Sequence, residues 1–392
     1  MNLGIMRDSR LHWISLVTAL ILCACGRLQG NATTSPTASP AGTAIPSVGP
    51  SAATPSGTAL PVAPETCPTA TPTPPAPSIQ SPTPTGGATS PAIWSRRSSL
   101  LTPPQVGSLA MAYDGHRNQL VMYGNPVGGG PDTLGVTWVW NGTDWAQADR
   151  SGQFFATALV YDAKLGSIVA FSFLQSTPQS RQWNGSEWSP PVPGGPSPRG
   201  SEALAYDPVS GKVVVFGGRR ESEPYLGDTW TWDGSLWTQQ HPATSPTPRL
   251  NGTMAYDPNS RKLLLFGGEI APRGEPSTDT WSWDGSSWTQ LAPSASPPTA
   301  GVFYVRATDP RTGAILLLGQ TPIMSPPPPF GCPPLHYHWE QWTWTGTTWR
   351  AQAVDAHPDQ LPMATAYDTN TGSTVAVVWR GWPEPITTWI LG

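Results

Sequence analysis

The chain is poor in charge. Only 12% of its 392 residues are Asp, Glu, Lys or Arg, about half the share found in an ordinary soluble domain. At a net charge of −4 it has none of the basic excess that marks a nucleic-acid-binding surface. Cysteine is scarce as well, with four in the whole chain, which excludes a disulfide-dense scaffold. Beyond Leu11–Leu22 no stretch is apolar enough to cross a bilayer. No nucleophile elbow, phosphate-binding loop or metalloprotease motif occurs, so the short signatures of hydrolase and nucleotide chemistry are missing. What is present in excess is 40 Gly, 48 Pro and 20 Trp. Low charge with many turn formers and large aromatics points to an all-β protein.

The first residues read as an export address. Arg7 and Arg10 precede the apolar run "LHWISLVTALIL", which ends in Leu22-Cys23-Ala24-Cys25. This spacing resembles the bacterial lipoprotein signal. The resemblance implies removal of residues 1–24, lipidation of Cys25 and an extracytoplasmic protein held to the cell membrane by acyl chains. An ordinary secretory peptide or an uncleaved anchor fits the same apolar run. On the lipoprotein reading Cys67 and Cys332 remain, and in an exported chain they are expected either to pair or to stay as separate thiols.

Residues 25–91 are almost entirely Pro, Thr, Ser, Ala and Gly, as in "TPTPPAPSIQSPTPTGG". Such a segment has too little apolar surface to pack and is expected to be an extended, disordered stalk. At ~3.1 Å per residue it reaches as far as about 200 Å.

From residue 92 the chain repeats, and the repeat decides the fold. The clearest copies are "EALAYDPVSGKVVVFGG" (202–218) and "GTMAYDPNSRKLLLFGG" (252–268). Six units carry the marker Asp at 114, 162, 207, 257, 309 and 368. In each, an apolar strand ends at the Asp, a tight turn follows, and a β-branched run comes next. A variable loop leads to a third strand with tryptophans at alternate positions: Trp138/Trp140, Trp230/Trp232, Trp281/Trp283 and Trp342/Trp344, with single Trp183 and Trp389. An Asn-Gly, Asp-Gly or Thr-Gly turn then starts a fourth strand at Trp145, Trp188, Trp237, Trp288 or Trp349. Asn141 and Asn184 match glycosylation acceptors, but they fall where the hairpin wants Asn-Gly.

Four antiparallel strands repeated six times describe a six-bladed β-propeller. The double glycines at 217–218 and 267–268 and the later Tyr/Trp positions resemble the kelch-type, galactose-oxidase-like propeller over residues 92–392. The likeness is blurred in the second and sixth units, and a WD-repeat ring is the near alternative. The sixth unit stops after its third strand, while "AIWSRR" (92–97) carries a spare fourth-strand Trp94. That N-terminal strand is expected to close the ring, so that no sheet edge stays open.

The loops between second and third strands vary and share one face with the connections between blades. They are the expected binding face, although loops also vary wherever insertion is merely tolerated. Candidate ligand-binding residues are Trp339, Trp379 and Trp382, the tryptophans outside the repeat positions, with Arg219, Arg220 and Arg380. His336, His338 and Glu340 alternate near Cys332 and in an extended segment would share one side, a set able to hold zinc or copper. The plainer reading is a proline-stiffened surface loop whose alternate polar residues face water. The framework of a copper radical oxidase is not recognisable elsewhere in the chain, and no catalytic residue or cofactor is assigned. The expectation is a monomeric binding module for a protein or glycan; the alternatives are a secreted carbohydrate-active enzyme and a display module without a ligand of its own.

Overall fold

The computed structural model describes residues 93–98, 103, 106–126, 135–149, 154–220, 224–270, 275–298, 302–309, 312–323, 336–354, 356–358, 360–379 and 386–392. The signal segment, the stalk, Cys25, Cys67, Cys332, Arg380 and Trp382 lie outside the described residues.

The described part is all β, built as six four-stranded antiparallel sheets with no helix. Blade 3 shows the plan: Ala203–Asp207, Lys212–Phe216, Thr229–Trp232 and Trp237–Gln240 pair in that order. Blade 1 runs Val106–Asp114, Gln119–Pro126, Val136–Trp140, Trp145–Asp149, and blade 4 runs Thr253–Asp257, Lys262–Phe266, Thr280–Trp283, Trp288–Leu291. Blade 5 runs Val302–Asp309, Ala314–Ile323, His336–Trp344, Trp349–Gln352. The first strands of neighbouring blades pack on one another all the way round, blade 6 against blade 1 included, so the six sheets form a closed ring.

Blade 6 is assembled from both ends of the domain. Ala364–Asp368, Ser373–Val378 and Thr387–Leu391 are joined by Trp94–Arg97, in register Trp94 to Leu391 and Arg97 to Thr388. The expected closing strand is therefore in place, with the Trp94 ring buried.

The core lies between blades. In blade 3, Val213, Val215 and Trp232 pack with Val169, Phe171 and Phe173 of blade 2, while Val214 and Phe216 pack with Leu263, Leu265 and Trp283 of blade 4. Successive residues of a strand point to opposite faces. A sheet covered on both sides therefore needs continuous apolar runs such as "KVVVF", not an alternating pattern.

The fourth-strand tryptophans also tie blades together through their indole N–H groups. Trp188 donates to Thr137 Oγ1 at 2.8 Å, Trp288 to Thr229 Oγ1 at 2.9 Å and Trp349 to Thr280 Oγ1 at 3.0 Å. Trp145 reaches Thr388 Oγ1 at 2.8 Å, and Trp94 reaches Gln341 Oε1 at 3.2 Å. Each acceptor sits in the third strand of the preceding blade, immediately before that strand's first tryptophan or its equivalent. In blade 3, Trp237 instead stands edge-on to Phe171 and Phe173.

Blade 2 departs from the expected pattern. Its strands are Ala158–Asp162, Ser167–Ser172 and Gln179–Gln182, and its outer strand is only Val192–Pro193. Trp188 makes an isolated bridge to Trp183, not the start of a strand. The cause is Pro190-Pro191, which have no N–H to give to a ladder. An unexpected three-stranded ribbon, Arg249–Leu250, Glu269–Ile270 and Glu275–Pro276, also stands beside blade 4.

Candidate functional site

The two ends of the ring differ in chemistry. At the short-turn end, five of the six marker Asp residues, 114, 162, 207, 257 and 368, close the turn with their own carboxylates. Asp114 Oδ1 accepts from the N–H groups of His116 and Arg117, Asp162 Oδ1 from those of Lys164 and Leu165, and Asp257 Oδ1 from that of Asn259. The third-to-fourth turns repeat the device at Asn141, Asn184, Asp233 and Asp284. Backbone donors from Leu236 and Ser235 hold the Asp233 carboxyl down at about 2. The carboxylates and amides of these turns are thus spent on the turns themselves.

The opposite end carries the variable loops, and its geometry rests on a repeated arginine pair. Arg199 and Arg249 are buried, each eight residues before a marker Asp. Arg249 grips Asp279 with two bonds of 2.6 and 2.8 Å and donates to Gly267 O at 2.8 Å; Trp281 Nε1 closes on the same carboxylate at 2.6 Å. Arg199, Asp228, Gly217 O and Trp230 repeat the arrangement in blade 3. Burial pushes the Asp228 and Asp279 carboxyls up, but the guanidinium bonds and charge, with the indole donors, outweigh it and hold both below the usual value. The double glycines make room for this. A Cβ on Gly217 would lie 2.7 Å from Arg249 O and one on Gly268 2.5 Å from Leu250 O, and both residues have positive φ.

At this end Glu202 stands out. It precedes the first strand of blade 3, on the side that faces blade 2, near Thr157 and Arg199. Part of the residue reaches solvent, but its carboxyl oxygen Oε2 is buried without a hydrogen-bond partner. Burial raises its pKa from an ordinary 4.5 to about 7, against small opposing effects of its own backbone N–H, the Arg199 charge and the Thr157 hydroxyl. The positions five residues before the other marker Asp residues are Leu109, Thr157, Gly252, Tyr304 and Met363, so Glu202 is the sole acid in the series. That series was the signal available in the sequence. Such a carboxyl can give or take a hydrogen bond near neutral pH.

The structure separates the sequence candidates. Trp339 lies in the third strand of blade 5, not in a loop, because the ladder with Ala314–Ile323 continues out to His336. Its ring is 7% exposed and stacked on the exposed His357 at 4.9 Å, so it packs the fold and does not present a free aromatic platform. Trp379 is half-buried against the cluster between blades 6 and 1. Arg219 bridges Gly200 and Tyr225 through its backbone and lays its guanidinium 5.8 Å from the Tyr225 ring, with Arg220 exposed beside it. Glu340 accepts a bond from Trp342 Nε1 at 2.9 Å. His336 and His338 are paired in the ladder opposite Ile323 and Thr321. Among the described residues no group of three His, Cys, Asp or Glu is placed to hold a metal ion.

No protein-family model matches the chain, and no curated protein matches it. Among solved structures, one described as "Structure of YjhT" aligns at 12% identity and a TM-score of 0.44, covering 74% of this chain and 94% of that one.

Proposed function

We propose that the chain is an extracytoplasmic interaction module. In this reading a kelch-type propeller is tethered to a bacterial cell membrane through lipid on Cys25 and the stalk of residues 25–91, and it binds a protein or glycan on its variable-loop end. The observation that carries the reading is the contrast between the two ends. One end is closed by repeated turns whose carboxylates and amides are consumed internally. The other displays unlike loops on a frame fixed by two buried Arg–Asp pairs, which is how rigid scaffolds present recognition surfaces. Arg219, Arg220 and the half-buried acid Glu202 lie at that end.

The test is to probe the full chain on a glycan array and, in parallel, by cross-linking to proteins of the producing cell. A saturable ligand lost in Arg219→Ala/Arg220→Ala but retained in Ser286→Ala, at the short-turn end of blade 4, is the expected result. Equal loss in both variants would place the ligand elsewhere and sink the proposal. Palmitate label on the wild type and none on Cys25→Ala is expected for the anchor.

A further inference from the structure

Blade 2 breaks the repeat at one chemically pointed position. The third-strand residue two before the inner tryptophan is Trp138 in blade 1, Trp230 in blade 3, Trp281 in blade 4 and Trp342 in blade 5; in blade 2 it is Arg181. The residue eight before the marker Asp is changed in the complementary sense. Blades 3 and 4 have Arg199 and Arg249 there, while blade 2 has the buried Phe154. Cation and aromatic have exchanged places, and the Arg181 guanidinium lies 4.9 Å from the Phe154 ring centroid. The position that carries Asp228 and Asp279 in blades 3 and 4 is Gln179 in blade 2. Arg199 and Arg249 therefore each own a carboxylate, whereas among the described residues none pairs with Arg181.

Among the described residues Arg181 donates to one acceptor, Ser189 O at 3.0 Å from Nη1, and its Nε is buried without a partner there. Burial pulls its pKa down, partly offset by the Tyr123 hydroxyl. Arg181 is among the residues lining a groove of about 900 Å³ between blades 1 and 2 at the short-turn end, shared with His116, Arg117, Asn184, Glu187 and Ser189. Arg117 is bonded to the buried Asp114 at 2.9 Å, and its side chain packs over Gly185. Glu187 is the opposing charge in the groove, exposed and turned to Asn184. A half-buried cation without a counter-charge among the described residues is electrostatically incomplete, and a charge-assisted bond to an anion is the chemistry that completes it.

We infer that the blade 1–blade 2 groove is an anion-binding site, in which Arg181 takes the carboxylate or phosphate group of a ligand with Arg117 and His116 alongside. The site is independent of the variable-loop end and stands whether or not that end binds a ligand. Carboxylate and phosphate are the two sources of one chemistry, and separate probes distinguish them. The experiment is isothermal titration of the full chain at low ionic strength with inorganic phosphate and, separately, with glucuronate. Three chains are compared: wild type, Arg181→Trp, which restores the repeat residue, and Arg181→Gln. Binding of at least one probe to wild type, weakened tenfold or more in both variants while their melting temperatures stay at or above that of wild type, is expected. A response to phosphate alone assigns a phosphorylated ligand, and a response to glucuronate alone an acidic glycan. If neither probe binds wild type, or if either variant binds as tightly as wild type, the inference is overturned.

Discussion

Replacing Glu202 by Gln tests whether a buried acid is held near the edge of ionisation. With a folded pKa of about 7 against 4.5 in the unfolded chain, the folded state binds the proton more tightly between those values. Stability contributed by the protonated form is complete below pH 4.5, falls as pH rises toward 7, and is gone above it. The shift corresponds to about 3 kcal/mol at pH 8, taken as an upper bound, or roughly 5 °C in melting temperature for a domain of this size. Glu202→Gln keeps the shape and removes the charge. The difference between variant and wild-type melting temperatures is therefore expected to be smallest near pH 4 and to climb in favour of the variant between pH 4.5 and 7. It levels off by pH 8. Scanning fluorimetry across that range reads it directly. A difference that does not change with pH would refute the reasoning, whatever its sign, because it would mean that the carboxyl titrates alike in both states.

Other perturbations follow from the same contacts. Removing residues 92–97 strips blade 6 of its outer strand and of Trp94, and Trp94→Ala alone is expected to cost ~3–5 kcal/mol; an unchanged urea midpoint would contradict the closure. Arg249→Met leaves Asp279 partly buried beside Trp281 without its cation, a loss of about 3–5 kcal/mol, and adding Asp279→Leu should recover part of it. Thr229→Val deprives the Trp288 indole of its acceptor and should cost ~1–3 kcal/mol in chemical denaturation.

Much of this architecture is visible in the chain before any coordinates. The Tyr-Asp marker, the turn glycines and the alternating tryptophans fix strand order and blade count because each obeys a local rule. Trp94 at one end and Thr387–Leu391 at the other show the closure, since a fourth-strand tryptophan had no blade of its own. What stayed hidden depends on neighbours distant in sequence. Arg199 and Arg249 recur eight residues before Asp207 and Asp257, but their carboxylate partners lie about thirty residues onward, past a loop of irregular length. The outward extent of the third strand of blade 5 is not legible either, because the Trp342/Trp344 pair looks like the start of a strand, while the ladder runs on through Trp339 to His336. Glu202 is marked in the sequence only as the one acid at its repeat position, and it takes the packing of blade 3 on blade 2 to bury its carboxyl.

The closing strand has a consequence in time. Trp94–Arg97 is made before any other part of the ring and pairs with Thr388–Leu391, which is made last. Every other blade assembles from strands near one another in the chain, at low loop-closure cost, whereas blade 6 must bring together residues almost three hundred positions apart. During synthesis the first strand waits for the final one, and in the folded protein this seam is the natural place for opening to begin. A chain interrupted anywhere before residue 387 can stack blades but cannot seal them, so its unsealed edges distinguish it from a finished copy.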